Sequence, residues 1–69
     1  MTGTIKNVNH EKGYGFIVDS KGVEYFFHRS GLEVREAFAL LRHGLRVQFT
    51  SVDAPKGPRA EGITIEEAE

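Results

Sequence analysis

Four ring-bearing side chains stand two apart in two neighbouring segments: Tyr14 and Phe16, then Phe26 and His28. In an extended strand, alternate side chains point to opposite faces, so each pair shares a face. If a hairpin pairs the segments, the four rings form one contiguous patch. A base stacked on such a ring is worth about 1–3 kcal/mol, whichever base it is. Cations surround the rings in sequence: Lys6 and Lys12 before them, Arg29 directly after, Lys56 and Arg59 in a later Pro/Gly stretch. Rings interleaved with cations suit a single nucleic-acid strand, because neutralised phosphates add an affinity that falls with salt. The competing arrangement buries both faces, one of them under a helical segment. Gly13 and Gly15 weigh against it. They flank Tyr14 without side chains, which leaves room for a flat partner to approach.

Other chemistry is poorly supported. The chain has no cysteine, hence no disulfide, thiolate ligand or thiol nucleophile. His10, His28 and His43 lie in a turn, a strand and a helix end, without metal-ligand spacing. His28 and Ser30 offer a base and a hydroxyl, but no carboxylate stands ready to orient them. No helix follows Gly13-Tyr14-Gly15, so it does not read as a dinucleotide-binding loop. The expectation is a binding protein, not an enzyme, with no cofactor and no metal.

The elements that must position the rings are short. Gly3–Asn9, Tyr14–Asp19, Val23–His28, Leu45–Val52 and Ala60–Glu66 read as five strands, rich in β-branched and aromatic residues. Ser20-Lys21-Gly22 suits a tight hairpin. Asp53–Arg59 reads as a Pro/Gly loop. In Leu45–Val52, apolar Leu45, Val47 and Phe49 alternate with Arg46, Gln48 and Thr50, so one face is core and the other solvent. Leu32–Leu41 differs: Val34, Ala37, Phe38, Leu40 and Leu41 recur at helical spacing. A short helix ended by Gly44 is expected there, plugging the barrel. Five short strands with a longer link after the third suit an all-β, five-stranded antiparallel Greek-key barrel of the OB type. An SH3-like barrel fits the same periodicity.

With 69 residues the chain makes one domain, near the lower limit for a self-sufficient core. Nine Lys and Arg against ten Asp and Glu give a net charge of −1, which alone does not favour nucleic acid. Glu61, Glu66, Glu67 and Glu69 carry four of those acids in the last nine residues, so the remainder is mildly basic. The acidic end is expected to be mobile after Ile65. Met1-Thr2-Gly3-Thr4 has no apolar run, so no signal peptide is expected, and no run approaches about 20 apolar residues; a soluble, cytoplasmic monomer is expected.

Lys12-Gly13-Tyr14-Gly15-Phe16-Ile17 resembles the first ribonucleoprotein motif of bacterial cold-shock proteins, with Tyr where Phe is more usual. Tyr25-Phe26-Phe27-His28 resembles the second, keeping a Phe and a His two apart. The likeness extends to Gly3–Asn9, to Gly44–Phe49 and to Lys56-Gly57-Pro58-Arg59-Ala60, nearly the whole chain. The resemblance implies an OB barrel that binds single-stranded RNA and DNA, often as an RNA chaperone. By position it implies stacking at Tyr14, Phe16, Phe26, His28 and Phe38, with phosphate or base-edge contacts at Lys6, Lys12 and Lys56. Two departures remove rings from that pattern: Asn7 stands where the family usually has Trp, and Arg29 where it often has Phe. Arg29 offers a guanidinium that stacks on bases and meets phosphate.

A small protein-interaction module using the same aromatic patch is the rival, supported by the net charge. Salt separates the two. Five cations cannot all reach one short strand, and each phosphate contact to a single strand contributes a log–log slope of about −0.7. A slope of roughly −1.5 to −3 is expected when oligonucleotide affinity is titrated against salt. A slope near zero, or no oligonucleotide binding at any ionic strength, would favour a protein partner.

Overall fold

A computed structural model describes residues 1–66. Five strands, β1 (Thr2–Asn9), β2 (Tyr14–Asp19), β3 (Glu24–His28), β4 (Arg46–Ala54) and β5 (Gly57–Ile65), close into a barrel in the order β1-β2-β3-β5-β4. β1 pairs antiparallel with both β2 and β4. The barrel shuts where β3 meets β5, a short parallel contact with Phe26 opposite Arg59. Among the described residues, no helix is long and apolar enough to cross a membrane.

Alternation sorts the side chains. Along β2 and β3, Ile17, Tyr25 and Phe27 turn inward, joining Ile5, Val47 and Phe49 from β1 and β4. Each large apolar side chain removed from water contributes about 1.5–3 kcal/mol, which a barrel this small needs. Two bulges break the alternation. Lys6 is the extra residue where Ile5 pairs with Ile17 but Asn7 pairs with Phe16, so Lys6 and Asn7 are both exposed. In β5 the register shifts around Gly62, whose φ of +61° favours glycine. That shift is why Ala60 and Ile63, three apart, are both buried.

Three expectations need correction. The stretch Asp53–Arg59 is not a loop: β4 runs to Ala54 and β5 starts at Gly57, with only Pro55-Lys56 between them. Pro and Gly here make a tight turn at the end of a long hairpin. Leu32–Leu41 is not an α-helix either. Two 3-10 turns, Arg29–Gly31 and Arg35–Leu40, link β3 to β4, and Gly44 lies in a later turn. The plug is narrower than expected: Phe38 and Leu41, one 3-10 turn apart, enter the core, while Val34 and Leu40 face outward. Lastly, Glu66 is anchored, its amide donating to the Arg46 carbonyl at 3.0 Å and its carboxylate 3.4 Å from the Arg46 guanidinium. The rest of the expected mobile tail, Glu67 to Glu69, lies outside the described residues.

The β2–β3 hairpin is organised by Asp19. Its Oδ1 accepts from the amides of Lys21 and Val23, each at 2.9 Å, and its Oδ2 accepts from the Tyr25 hydroxyl at 3.0 Å. Gly22, with φ +85°, completes the turn. The Val23 amide above all, with the Tyr25 and Lys21 bonds behind it, holds the Asp19 carboxyl below its ordinary value of 3.8, against a smaller opposing effect of burial. Burial pushes the Tyr25 phenol up, and its bond to Asp19 adds to that. A carboxyl whose folded pKa is lowered stabilises the fold fully above its unfolded pKa. That contribution is lost as pH falls through the lower, folded value. The parent chain should therefore exceed an Asp19→Asn variant in urea midpoint above about pH 5, and the gap should close as pH drops well below about 4. A gap that stays constant down to the acid limit would show that the carboxylate charge is not what holds the turn.

Candidate nucleic-acid interface

The outer face of β2 and β3 carries the rings. In the antiparallel register Tyr14 stands opposite His28 and Phe16 opposite Phe26, and opposite residues share a face. Phe26 is 38% exposed, a large fraction for a phenyl ring in mid-strand. His28 is exposed, and Tyr14 and Phe16 are half-buried, each against Phe26. The Tyr14 and Phe26 rings lie 5.9 Å apart, tilted by 32°, and Phe16 meets Phe26 edge-on at 5.7 Å. These are stable aromatic geometries, so the platform is preassembled.

Inward alternation supports it. Gly15 is buried, not beside the platform as the sequence pattern led us to expect. A Cβ there would stand 2.5 Å from the Asn7 carbonyl oxygen and 2.8 Å from Cζ of Phe27. Its missing side chain makes room for the core ring and for β1, not for a ligand. Gly13, with φ +80°, lies under the stem of Arg29, and the Arg29 amide donates to the Gly13 carbonyl at 2.9 Å. Arg29 is thereby held over the residue that precedes Tyr14.

The remaining cations divide. Lys56 sits at the β4–β5 turn and, with Pro55, Pro58 and Arg59, walls an open groove of about 550 Å³ whose other side is Phe16 and Phe26. Arg59 also pairs with Glu61. Lys6 reaches across β2 to Glu24 at 2.7 Å. Both ion pairs are exposed, and such pairs contribute about 0–1 kcal/mol, so phosphate can displace the carboxylates. Lys12 lies in the β1–β2 turn, where its amide donates to Asn9 Oδ1 at 2.9 Å.

Phe38 is not brought to the platform. It is 8% exposed, counts among the core residues, and meets His10 edge-on at 5.4 Å. Pro55 and Pro58 are additions that sequence reasoning passed over. Their spacing around Lys56 was the available signal, hidden because the stretch read as a loop. Among the described residues, no group of three or more His, Cys, Asp or Glu side chains is placed to hold a metal ion.

A closed five-stranded barrel with an outward aromatic platform bordered by cations defines an OB-type nucleic-acid-binding module. Residues 1–65 match the model of the 'Cold-shock' DNA-binding domain. The chain is 44% identical over 64 residues to a cold shock-like protein, CspLB, of Listeria monocytogenes, covering 93% of this chain and 96% of that one. It is 43% identical over 65 residues to the cold shock-like protein CspA of Vibrio cholerae, covering 93% and 91%. A cold shock-like protein of Thermotoga maritima is 37% identical over 67 residues, covering 97% and 100%. The chain belongs to the cold-shock domain family, and its role is nucleic-acid binding.

Asn7 is exposed and stands opposite Phe16, so it borders the platform. Its amide contributes at most a hydrogen bond that water competes for, netting about 0.5–1.5 kcal/mol. An Asn7→Trp variant adds a ring at that edge. It should bind short oligonucleotides about 1–2 kcal/mol more tightly, close to one stacked base. The gain should survive high salt, since stacking releases no counterions. Unchanged affinity across several oligonucleotide sequences would mean the platform is complete without position 7.

Proposed function

We propose that this chain binds single-stranded RNA and DNA by stacking bases on Tyr14, Phe16, Phe26 and His28, with phosphate contacts from Lys12, Arg29, Lys56 and Arg59 and a further one from Lys6. The observation that carries the reading is the outward, preassembled arrangement of Tyr14, Phe16 and Phe26 at centroid distances of 5.7–5.9 Å. Base faces are hidden in a duplex and free in a single strand, so an exposed ring platform selects unpaired nucleic acid. Stacking tolerates every base, which supports weak, general binding along a strand. A protein that holds unpaired RNA in this way opposes its misfolding, and we assign it an RNA-chaperone role, without catalysis, as a cytoplasmic monomer. Phe38, sunk in the core, is left out of the platform.

Phe26 is the decisive residue, because its ring touches both other members and its exposure makes it dispensable to the core. A Phe26→Ala variant should lose about 1–3 kcal/mol of affinity for a labelled single-stranded oligonucleotide while its unfolding midpoint changes little. Retained affinity in a folded variant would remove the platform assignment. Absence of oligonucleotide binding by the parent chain would return the aromatic patch to a protein partner.

A further inference from the structure

We propose that His28 acts through one fixed tautomer, a neutral ring carrying its proton on Nε2, and that the backbone amide of Ser30 fixes it. The inference rests on the single-strand reading above and gives His28 a role that stacking alone does not require: an outward hydrogen-bond donor to an oxygen acceptor on the strand.

The geometry comes from the end of β3. The Ser30 backbone amide lies 3.1 Å from His28 Nδ1 and donates to it, capping the 3-10 turn Arg29–Gly31. A backbone N–H can only donate, so Nδ1 must present its lone pair. The Ser30 hydroxyl, 3.0 Å from the same nitrogen, can turn its proton toward it as well. The opposite arrangement, with Nδ1–H donating to Oγ, would set the ring hydrogen against the amide hydrogen. In a neutral imidazole one nitrogen accepts and the other donates, which places the proton on Nε2.

The backbone on both sides of the ring is tied down. His28 is extended, with φ −115° and ψ 155°, and stands opposite Tyr14 in the β2–β3 register. The next amide, that of Arg29, donates to the Gly13 carbonyl at 2.9 Å. The ring is thus held at Nδ1 from below, while its exposed far edge offers Nε2–H at the end of the platform. That edge takes an oxygen acceptor, and a single strand supplies two kinds: phosphate oxygens at every linkage, and base carbonyls, which thymine has and adenine lacks.

A chain of 69 residues can be assembled by chemical synthesis, so an isosteric change is available. Replacing His28 with 4-thiazolylalanine keeps a flat aromatic ring and the lone pair at the Nδ1 position, and puts sulfur where Nε2–H was. The first measurement is the pair of ring-nitrogen NMR shifts of His28 in the parent chain, at a pH where the ring is neutral. Nδ1 is expected to be unprotonated and Nε2 protonated, and Ser30→Ala should keep that pattern because the amide remains. A predominant Nδ1–H tautomer in the parent overturns the proposal. The second is affinity for oligothymidylate and oligodeoxyadenylate of equal length. The thiazolyl protein should bind about three- to ten-fold more weakly, the net worth of one hydrogen bond. Equal loss on both oligomers assigns the acceptor to phosphate, and loss on oligothymidylate alone assigns it to a base carbonyl. Undiminished affinity on both, with the parent tautomer as expected, overturns the donor role and leaves single-strand binding standing. Failure of the parent to bind either oligomer overturns both.

Discussion

A Cβ on residue 15 would lie 2.5 Å from the Asn7 carbonyl oxygen and 2.8 Å from the Phe27 ring, so β2 must carry glycine there for β1 and the core to close on it. The consequence reaches the surface. With Gly15 and Ile17 turned inward and Phe27 filling the barrel, the two-residue period of β2 and β3 leaves Tyr14, Phe16, Phe26 and His28 no choice but the outer face. The platform is held out by the same packing that makes the core. A slip of one residue in the β2–β3 register would exchange the two sets and lose both.

Charge is arranged more cautiously than the rings. Lys6 and Arg59, both at the margins of the aromatic face, are paired with carboxylates of their own chain, Glu24 and Glu61. In water these contacts are weak and exchangeable. They keep a module of net charge −1 from presenting an unbroken basic surface while leaving both cations at the solvent boundary. Lys56 and Arg29 are positioned differently, one at a hairpin turn above the groove, the other laid across Gly13. The two departures from the family pattern thus fall at different edges of one face. Asn7 borders Phe16, where a ring is missing, and Arg29 lies over Gly13, where a guanidinium replaces one.

How much was legible in the residues follows from the range of the forces concerned. Which side chains of β2 and β3 share a face depends only on alternation, and alternation is local. The hairpin turn at Ser20-Lys21-Gly22 was equally plain from its glycine and polar residues, whereas the Asp19 carboxylate that gathers the Lys21 and Val23 amides emerged only in the structure. Misreadings cluster where a neighbour decides. Pro55 and Gly57 look like loop residues alone, yet Ala54 and Gly57 pair across a two-residue turn because the strands on either side continue. Helical spacing in Leu32–Leu41 was real, but the segment is short and tied at its start by the Glu33 amide to the Ile63 carbonyl, so only 3-10 turns fit.

The sequence by itself therefore determined that this is a small two-faced β-barrel with rings on its outer surface and cations near them, since period, turn chemistry and composition act over a few residues. Tertiary structure alone decided that Gly15 serves the core and not a ligand, that Phe38 sinks inward against His10, and that Ala60 and Ile63 share a face across a bulge. It also decided which cations meet carboxylates and that Ser30 holds one nitrogen of His28. Each of these depends on a partner brought close only when the barrel closes, and a linear pattern carries no information about a distance that closure sets.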